Sequence, residues 1–456
     1  SSNTELCHIR VRINVKSNVS EKAQHRKTPL NHHSTMEVPG ELGWRFSGDK
    51  SLEIGRSPVN FVQSRIDKYN SKIFSARIMN QPHIFVTSNQ GIKEILVDKS
   101  SSFEMSYKDF GYMYSLYGEV CIFNNGDEAF RLREIIRTLF HTENCNHYMI
   151  KIQRLTQQFL KDLDQSNSIE VYETFKKLTT AICLSVFLDI DDFELLEKYK
   201  SVATTHWHGL VSVPLSVKIK GWSSTFGKAM EAKEELLSLI KSQLQNKQDK
   251  GRFLEALQQA EFENIEEAAS HVLLFVSALI PKALSSLLTS TVIETQGESK
   301  EQLRNLAWTD SRILNDILLE ASRLYPPFYG GRRIAKENVN IDEYLIPEGH
   351  QVIYITRFGN RDEETFDNAD QFLPERWQGV DINKRDLVWA FGGGKRVCVG
   401  TEFINRILKH VMSFLLSEYK WEIEGEVPPY KMLPVSRPKQ TVQVKFTRNS
   451  INHDEV

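Results

Sequence analysis

Cysteine is scarce in this chain and poorly placed for crosslinking. Cys7, Cys121, Cys145, Cys183 and Cys398 are spread over 456 residues. They are odd in number and contain no CxxC pair, so neither a disulfide scaffold nor a cysteine-built zinc site is indicated. An uninterrupted apolar run of about 18 residues, enough to cross a bilayer as a helix, is also missing. So is an excess of one charge: 57 Lys and Arg stand against 59 Asp and Glu, for a net charge of -2. That balance argues against a nucleic-acid partner, because such binders draw on a positive field. The chain has no internal repeat and no Gly/Ser- or Pro-rich linker.

With 40% hydrophobic and 25% charged residues, the composition is that of a globular protein. Residues 1–37 are polar and cationic and are expected to form a flexible tail, with a processed targeting segment as the alternative reading. Residues 38–456 are expected to be a single domain. The implied location is soluble or peripheral and intracellular, or organellar if the N-terminus is a processed targeting segment. A monomer with room for peripheral membrane contact is the simplest expectation.

Residues 73–88 hold two β-rich runs broken at Asn80 and Gln81, which predicts a hairpin. Helical patterns run over 128–165, 170–190, 227–247, 252–260, 264–292 and 308–324, the last stopping before Pro326 and Pro327. Short strands fill 328–358, a helix covers 401–418, and 419–446 alternates as terminal strands. The fold class is therefore mainly α with minor β.

One of the cysteines keeps unusual company. In FGGGKRVCVG (391–400), Cys398 follows three glycines and two cations and precedes an apolar helix. A lone cysteine between valines is ordinarily a small buried hydrophobe. Here the glycines permit close approach of a flat group. The cations and the nearby helix N-terminus favour a thiolate, and a single thiolate is one way of holding haem iron.

This segment resembles the haem-binding signature of the cytochrome P450 superfamily, with Phe391, Gly394, Arg396, Cys398 and Gly400 where that signature requires them. The resemblance covers roughly 38–446 and implies the cytochrome P450 fold, with haem b between a long central helix and the cysteine loop. It makes Cys398 the metal ligand through its thiolate, places Phe391 beside the sulfur and puts Arg396 on a haem propionate. LLEASRLYPP supplies Glu320 and Arg323, three apart on one helix face, and FLPERW supplies Arg376. In the superfamily these form a buried ion network; read alone they would be a surface pair and a solitary arginine. In GDEAFRLREIIR (126–137), Arg133 matches a second propionate contact. Ala129 fills the position of the usual tryptophan or histidine, and Arg131 is the nearest substitute.

The central helix departs from the superfamily's oxygen-activating pattern. In HVLLFVSALIPKALSS, Val276 and Ser277 fall at the small-residue positions, and Leu279 and Ile280 at those of the acid and threonine. Neither Leu279 nor Ile280 can relay a proton. Pro281 removes a helix hydrogen bond and is expected to free the Ser277 carbonyl and kink the helix. Lys282 reads as a snorkelling lysine facing solvent, or as a distal cation that orients a substrate carboxylate or an oxygen atom. Ser277, Ile280 and Pro281 are thus the candidate catalytic residues.

Three functions follow. The first is electron-independent rearrangement of a fatty-acid hydroperoxide by homolytic O–O cleavage, as in the allene oxide synthase, hydroperoxide lyase and epoxyalcohol synthase branch. FVQSRIDKYNSKIF (61–74) and HVLLF resemble segments of that branch. The branch's helix asparagine is replaced here by Ile280, its glycine pair is absent, and the cysteine loop has the ordinary compact form. The second is an atypical NADPH- and reductase-dependent monooxygenase, or a peroxygenase, of a sterol, terpenoid, retinoid or fatty acid. YPPFYGGRR (325–333) and the compact loop resemble carotenoid-, retinoid- or sterol-oxidising members. The third is a non-catalytic haem protein. A small apolar or lipid substrate is common to the first two. The redox partner stays open, with Lys395, Lys409 and His410 permitting a basic docking patch. The six aromatics of 101–121 read equally as core packing or as a substrate lid.

Overall fold

The computed structural model describes residues 36–449 except 46, 110, 213–217, 220, 221, 247–249 and 278. The tail expected over 1–37 therefore lies, but for its last two positions, outside the described residues. The longer helices are α1 (Pro58–Tyr69), α2 (Gly126–Leu139), α3 (Thr142–Leu160), α4 (Val171–Leu188) and α5 (Phe193–His208). They continue as α6 (Thr225–Gln245), α7 (Ile265–Ser277), α8 (Leu279–Glu294), α9 (Ser311–Leu324) and α10 (Thr401–Glu418).

Local chemistry explains several starts. The side chains of Glu170, Asp192, Ser224 and Asp310 accept backbone N–H groups at the first turns of α4, α5, α6 and α9. Each removes an orphan donor that the helix itself cannot satisfy. Helix α5 was not anticipated, although the cap at Asp192 was there to be read. The expected 308–324 helix is in fact two, Glu301–Thr309 and α9, because Asp310 takes an extended conformation and caps the second.

The hairpin pairs Ile73–Ile78 with Gln81–Val86, antiparallel, with Ile78 opposite Gln81. The break is Met79–Asn80 rather than Asn80–Gln81. Both turn residues have positive φ, at 49° and 63°, the twist that a two-residue hairpin requires. These strands join Gln351–Tyr354, Gly331–Ala335 and Phe103–Glu104 in a five-stranded sheet. Near the end of the chain, Tyr419–Glu424 pairs with Gln443–Arg448, which continues to Ile169–Glu170.

One large apolar core runs through the helical body. Its centre is aromatic: the Phe140 ring lies 5.6 Å from Phe275 and 5.2 Å from Phe403, while Phe187 lies 4.6 Å from Phe253. By length and composition, Ile265–Glu294 is apolar enough to cross a membrane, yet 88% of its most apolar window is buried within the protein. The polar positions that interrupt this stretch, Ser277, Lys282, Ser285 and Ser286, are buried too.

Candidate functional site

Glu320, Arg323 and Arg376 come together. One turn of α9 puts Glu320 and Arg323 on the same face, where they form a paired contact at 2.9 and 2.8 Å. Both side chains are fully buried. Arg376 reaches the same carboxylate at 2.9 Å, as does the Trp377 indole N–H. Arg323 spends its remaining donors on the carbonyls of Asn360, Ala369 and Gln371. A buried charge is tolerable only when its hydrogen-bonding capacity is used up in this way. The surface-pair reading of these residues is wrong because the helix face that carries them is enclosed.

The cysteine loop follows. Phe391 and Cys398 are joined through the backbone, the Cys398 N–H donating to the Phe391 carbonyl at 2.9 Å. Gly394 has φ +58°, and a Cβ there would sit 2.1 Å from the Leu96 carbonyl oxygen. Only glycine fits that position. Gly400 precedes α10, and its N–H and the Thr401 hydroxyl both ease ionisation of Cys398. Desolvation is nevertheless the largest influence and raises the thiol's pKa. The helix N-terminus alone therefore does not make a thiolate. A metal cation at the sulfur would, since coordination deprotonates a thiol outright. Of the four cysteines among the described residues, Cys398 is the exposed one.

Three arginines converge beside this loop. Arg133 of α2 donates to the Val397 carbonyl at 2.5 Å, and Arg396 to the Asn124 carbonyl at 2.9 Å. Arg333, from the Gly331–Ala335 strand, lies 5.2 Å over the Tyr354 ring. Burial lowers the pKa of Arg396, and the charges of Arg133 and Arg333 lower it further. None of the three has a carboxylate ion-pair partner among the described residues. Three mutually repelling guanidiniums beside a cysteine fit a haem, whose two propionates would supply the missing negative charge. Arg333 was not singled out from the sequence, although the doubled arginine after Gly330 and Gly331 was the available signal. Arg131 does not substitute at this site. It is held by Glu128 and Glu267 at 2.7 and 2.6 Å.

A cavity of about 290 Å³ opens beside Cys398, with Arg133, Arg137, Phe140, His141 and Glu402 in its wall. A larger one of about 460 Å³ lies by Asp310, Asp316 and Arg385 and contains none of this chemistry. Among the described residues no group of three or more His, Cys, Asp and Glu could hold a metal ion. His410 is half-buried, and burial lowers its pKa, so it adds little to a basic patch.

The central helices hold the remaining candidates. Ser277 is not free to handle substrate oxygen, because its hydroxyl meets His206 Nδ1 at 2.8 Å and the Leu273 carbonyl at 2.9 Å. His206 Nε2 lies 3.0 Å from the Leu116 carbonyl. That nitrogen therefore carries the proton, and Nδ1 and the Leu273 carbonyl share the single Ser277 hydroxyl hydrogen. Burial pushes the His206 pKa down to about 4, so the ring stays neutral. His271, an unremarked member of HVLLF, accepts the Cys121 N–H at 2.9 Å and bonds the Glu267 carbonyl through its other nitrogen. It ties the segment before α2 to α7.

The kink expected from Pro281 falls around residue 278, which lies outside the described residues, and Pro281 itself is helical and buried. Its carbonyl is taken up by Thr179 at 3.0 Å and Ser285 at 2.5 Å. Ile280 is buried. Lys282 does not snorkel: it is 4% exposed, with its ammonium 5.8 Å over the Trp207 ring. Packing against α4 and α5 encloses a helix face that the sequence pattern left open. Of the aromatics in 101–121, Phe103 and Tyr117 are buried, while Tyr114 is at the surface. Residue 110 lies outside the described residues.

Comparison with known proteins agrees with this geometry. The chain is 24% identical over 438 residues to abscisic acid 8'-hydroxylase 1 of Arabidopsis thaliana, covering 90% of this chain and 91% of the relative. A retinoic acid-bound cyanobacterial CYP120A1 structure superposes with a TM-score of 0.80 at 20% identity, over 91% of this chain and all of that one. A P450EX alpha (CYP152N1) structure with myristic acid superposes at 0.72 and 18% identity, over 91% and 100%. The family model described as Cytochrome P450 matches residues 42–272 and 295–446, so the match stops and resumes around the central helix stretch. With its haem carried by a cysteine thiolate, this chain belongs to the cytochrome P450 family.

Proposed function

We propose that this protein is a haem–thiolate enzyme for a lipid-like carboxylic acid, and that it opens an O–O bond the substrate already carries, without external electrons. The observation that carries the reading is the apolar pair Leu279–Ile280, where relatives that activate dioxygen need proton-relaying groups. The acid in the substrate is supported by the names of three similar proteins, which mention abscisic, retinoic and myristic acids. When bound, the haem supplies one-electron chemistry to the peroxide bond.

The chain's own residues bind, orient and exclude. Cys398 would hold the iron, and Arg133, Arg333 and Arg396 would hold the propionates. Ile280 and the phenylalanines around Phe275 keep water from the apolar side. Ser277 and His206 lock α7 against α5. Loss of water sharpens every polar contact that remains.

The test is turnover of a polyunsaturated fatty-acid hydroperoxide by the purified ferric protein, with neither NADPH nor reductase, followed by loss of conjugated-diene absorbance. Catalytic loss that disappears in Cys398→Ser supports the reading. Turnover that appears only with NADPH and a reductase establishes the second reading, monooxygenation. The similarity to a hydroxylase along 90% of the chain favours that alternative.

A further inference from the structure

Among the described residues, Lys282 is a buried charge that the site described above does not use. It is 4% exposed, and its ammonium makes no hydrogen bond and no ion pair to any described residue. Its contact is the face of Trp207, 5.8 Å away. A few positions beyond α8's first turns, Ser286 donates to the Ser436 carbonyl at 2.6 Å. That bond fixes the strand Arg437–Pro438 against α8. Arg437 repeats the pattern of Lys282: its guanidinium lies 4.9 Å over the Tyr172 ring and forms no ion pair among the described residues.

Four elements therefore meet at one corner, the start of α4, the end of α5, α8 and the Arg437 strand. The corner is short of negative charge. Lys176, Arg437 and Lys282 all act on His208 at its edge. Glu173 attracts Lys282 but is already paired with Lys176. Glu170 is occupied in capping α4. Burial, helped by Lys176 and Arg437, brings the Lys282 pKa down to about 8. An unpaired buried ammonium is costly, and aromatic faces offset only part of that cost. A ligand anion would remove the rest, and the flanking Trp207 and Tyr172 suit a ligand with an apolar body.

We propose that Lys282 and Arg437 together bind the carboxylate of a lipid-like acid and so anchor the substrate's polar end. This rests on the lipid-acid reading above and adds the residues that recognise the acid.

The holoenzyme and its Lys282→Met, Lys282→Arg and Arg437→Gln variants are titrated calorimetrically with palmitic acid and its methyl ester. Retinoic acid and its ester form a second pair. The wild type is expected to bind each acid about tenfold or more tighter than its ester. Lys282→Met abolishes that preference and leaves ester affinity unchanged; Arg437→Gln reduces it. Lys282→Arg retains it, which tests the charge independently of how well the methionine variant folds. Lys282→Met melts no lower than wild type, because it removes an unpaired buried charge rather than a bonded one. An acid preference untouched in both Lys282→Met and Arg437→Gln overturns the anchor and leaves the lipid-acid reading standing. A wild type that binds neither acid nor ester overturns both.

Discussion

At the scale of single residues, the buried carboxylate of Glu320 has the largest leverage. It accepts from Arg323, Arg376, Trp377 and the Leu373 backbone, so replacing it strands two guanidiniums in the interior. Glu320→Gln is expected to lower unfolding stability by about 3–5 kcal/mol, measured by urea denaturation. A loss below about 1 kcal/mol would mean that water or other carbonyls take over its role. The residues of this network and of the cysteine loop were legible in the sequence because their identities and spacing form motifs. Arg333 and Arg437 were not, because their meaning lies in what surrounds them. A cation without a carboxylate partner looks in sequence like any surface arginine.

Elements explain what the motifs omit. Helix α5 carries no motif, yet through His206 it meets α7 at Ser277 and the Gly111–Tyr117 helix at Leu116. On the sheet side, the His83 ring contacts Arg332 at 2.6 Å and the Gln81 carbonyl at 2.9 Å. Burial pushes the pKa of each histidine from 6.5 down to about 4. Both rings thus stay neutral in the fold where the unfolded chain would take up a proton. Their contribution is complete above pH 6.5 and is lost progressively as the pH falls from there toward 4. At about 1.4 kcal/mol per unit, each ring withholds on the order of 3 kcal/mol by the end of that window. Acid titration of unfolding free energy should show this descent between pH 6.5 and 4 and lose about half of it in His206→Phe, the share of His83 remaining. A profile level through that range would contradict the assignment. Helix positions were largely readable from periodicity, whereas the enclosure of Lys282 was not. Which face of an apolar helix meets a neighbour depends on where α4 and α5 pack, and that is a property of the whole chain.

At the scale of the whole molecule, the two sides of the site differ in character. The family match runs through 42–272 and 295–446 and omits the stretch between them, which is the end of α7 and all of α8. The cysteine loop lies inside the matched residues and was recognisable from sequence, while the central helix stretch lies outside them. In that stretch three serine hydroxyls are committed to structure: Ser277 to His206 and the Leu273 carbonyl, Ser285 to the Pro281 carbonyl, and Ser286 to the Ser436 carbonyl. Hydroxyl groups whose single hydrogen is aimed at a neighbouring protein acceptor are not aimed at a substrate. Turnover of a hydroperoxide by this enzyme should consequently run at nearly the same speed in deuterium oxide as in ordinary water. A slowing of about twofold or more would reveal a hydrogen in flight that the arrangement of these helices does not provide for.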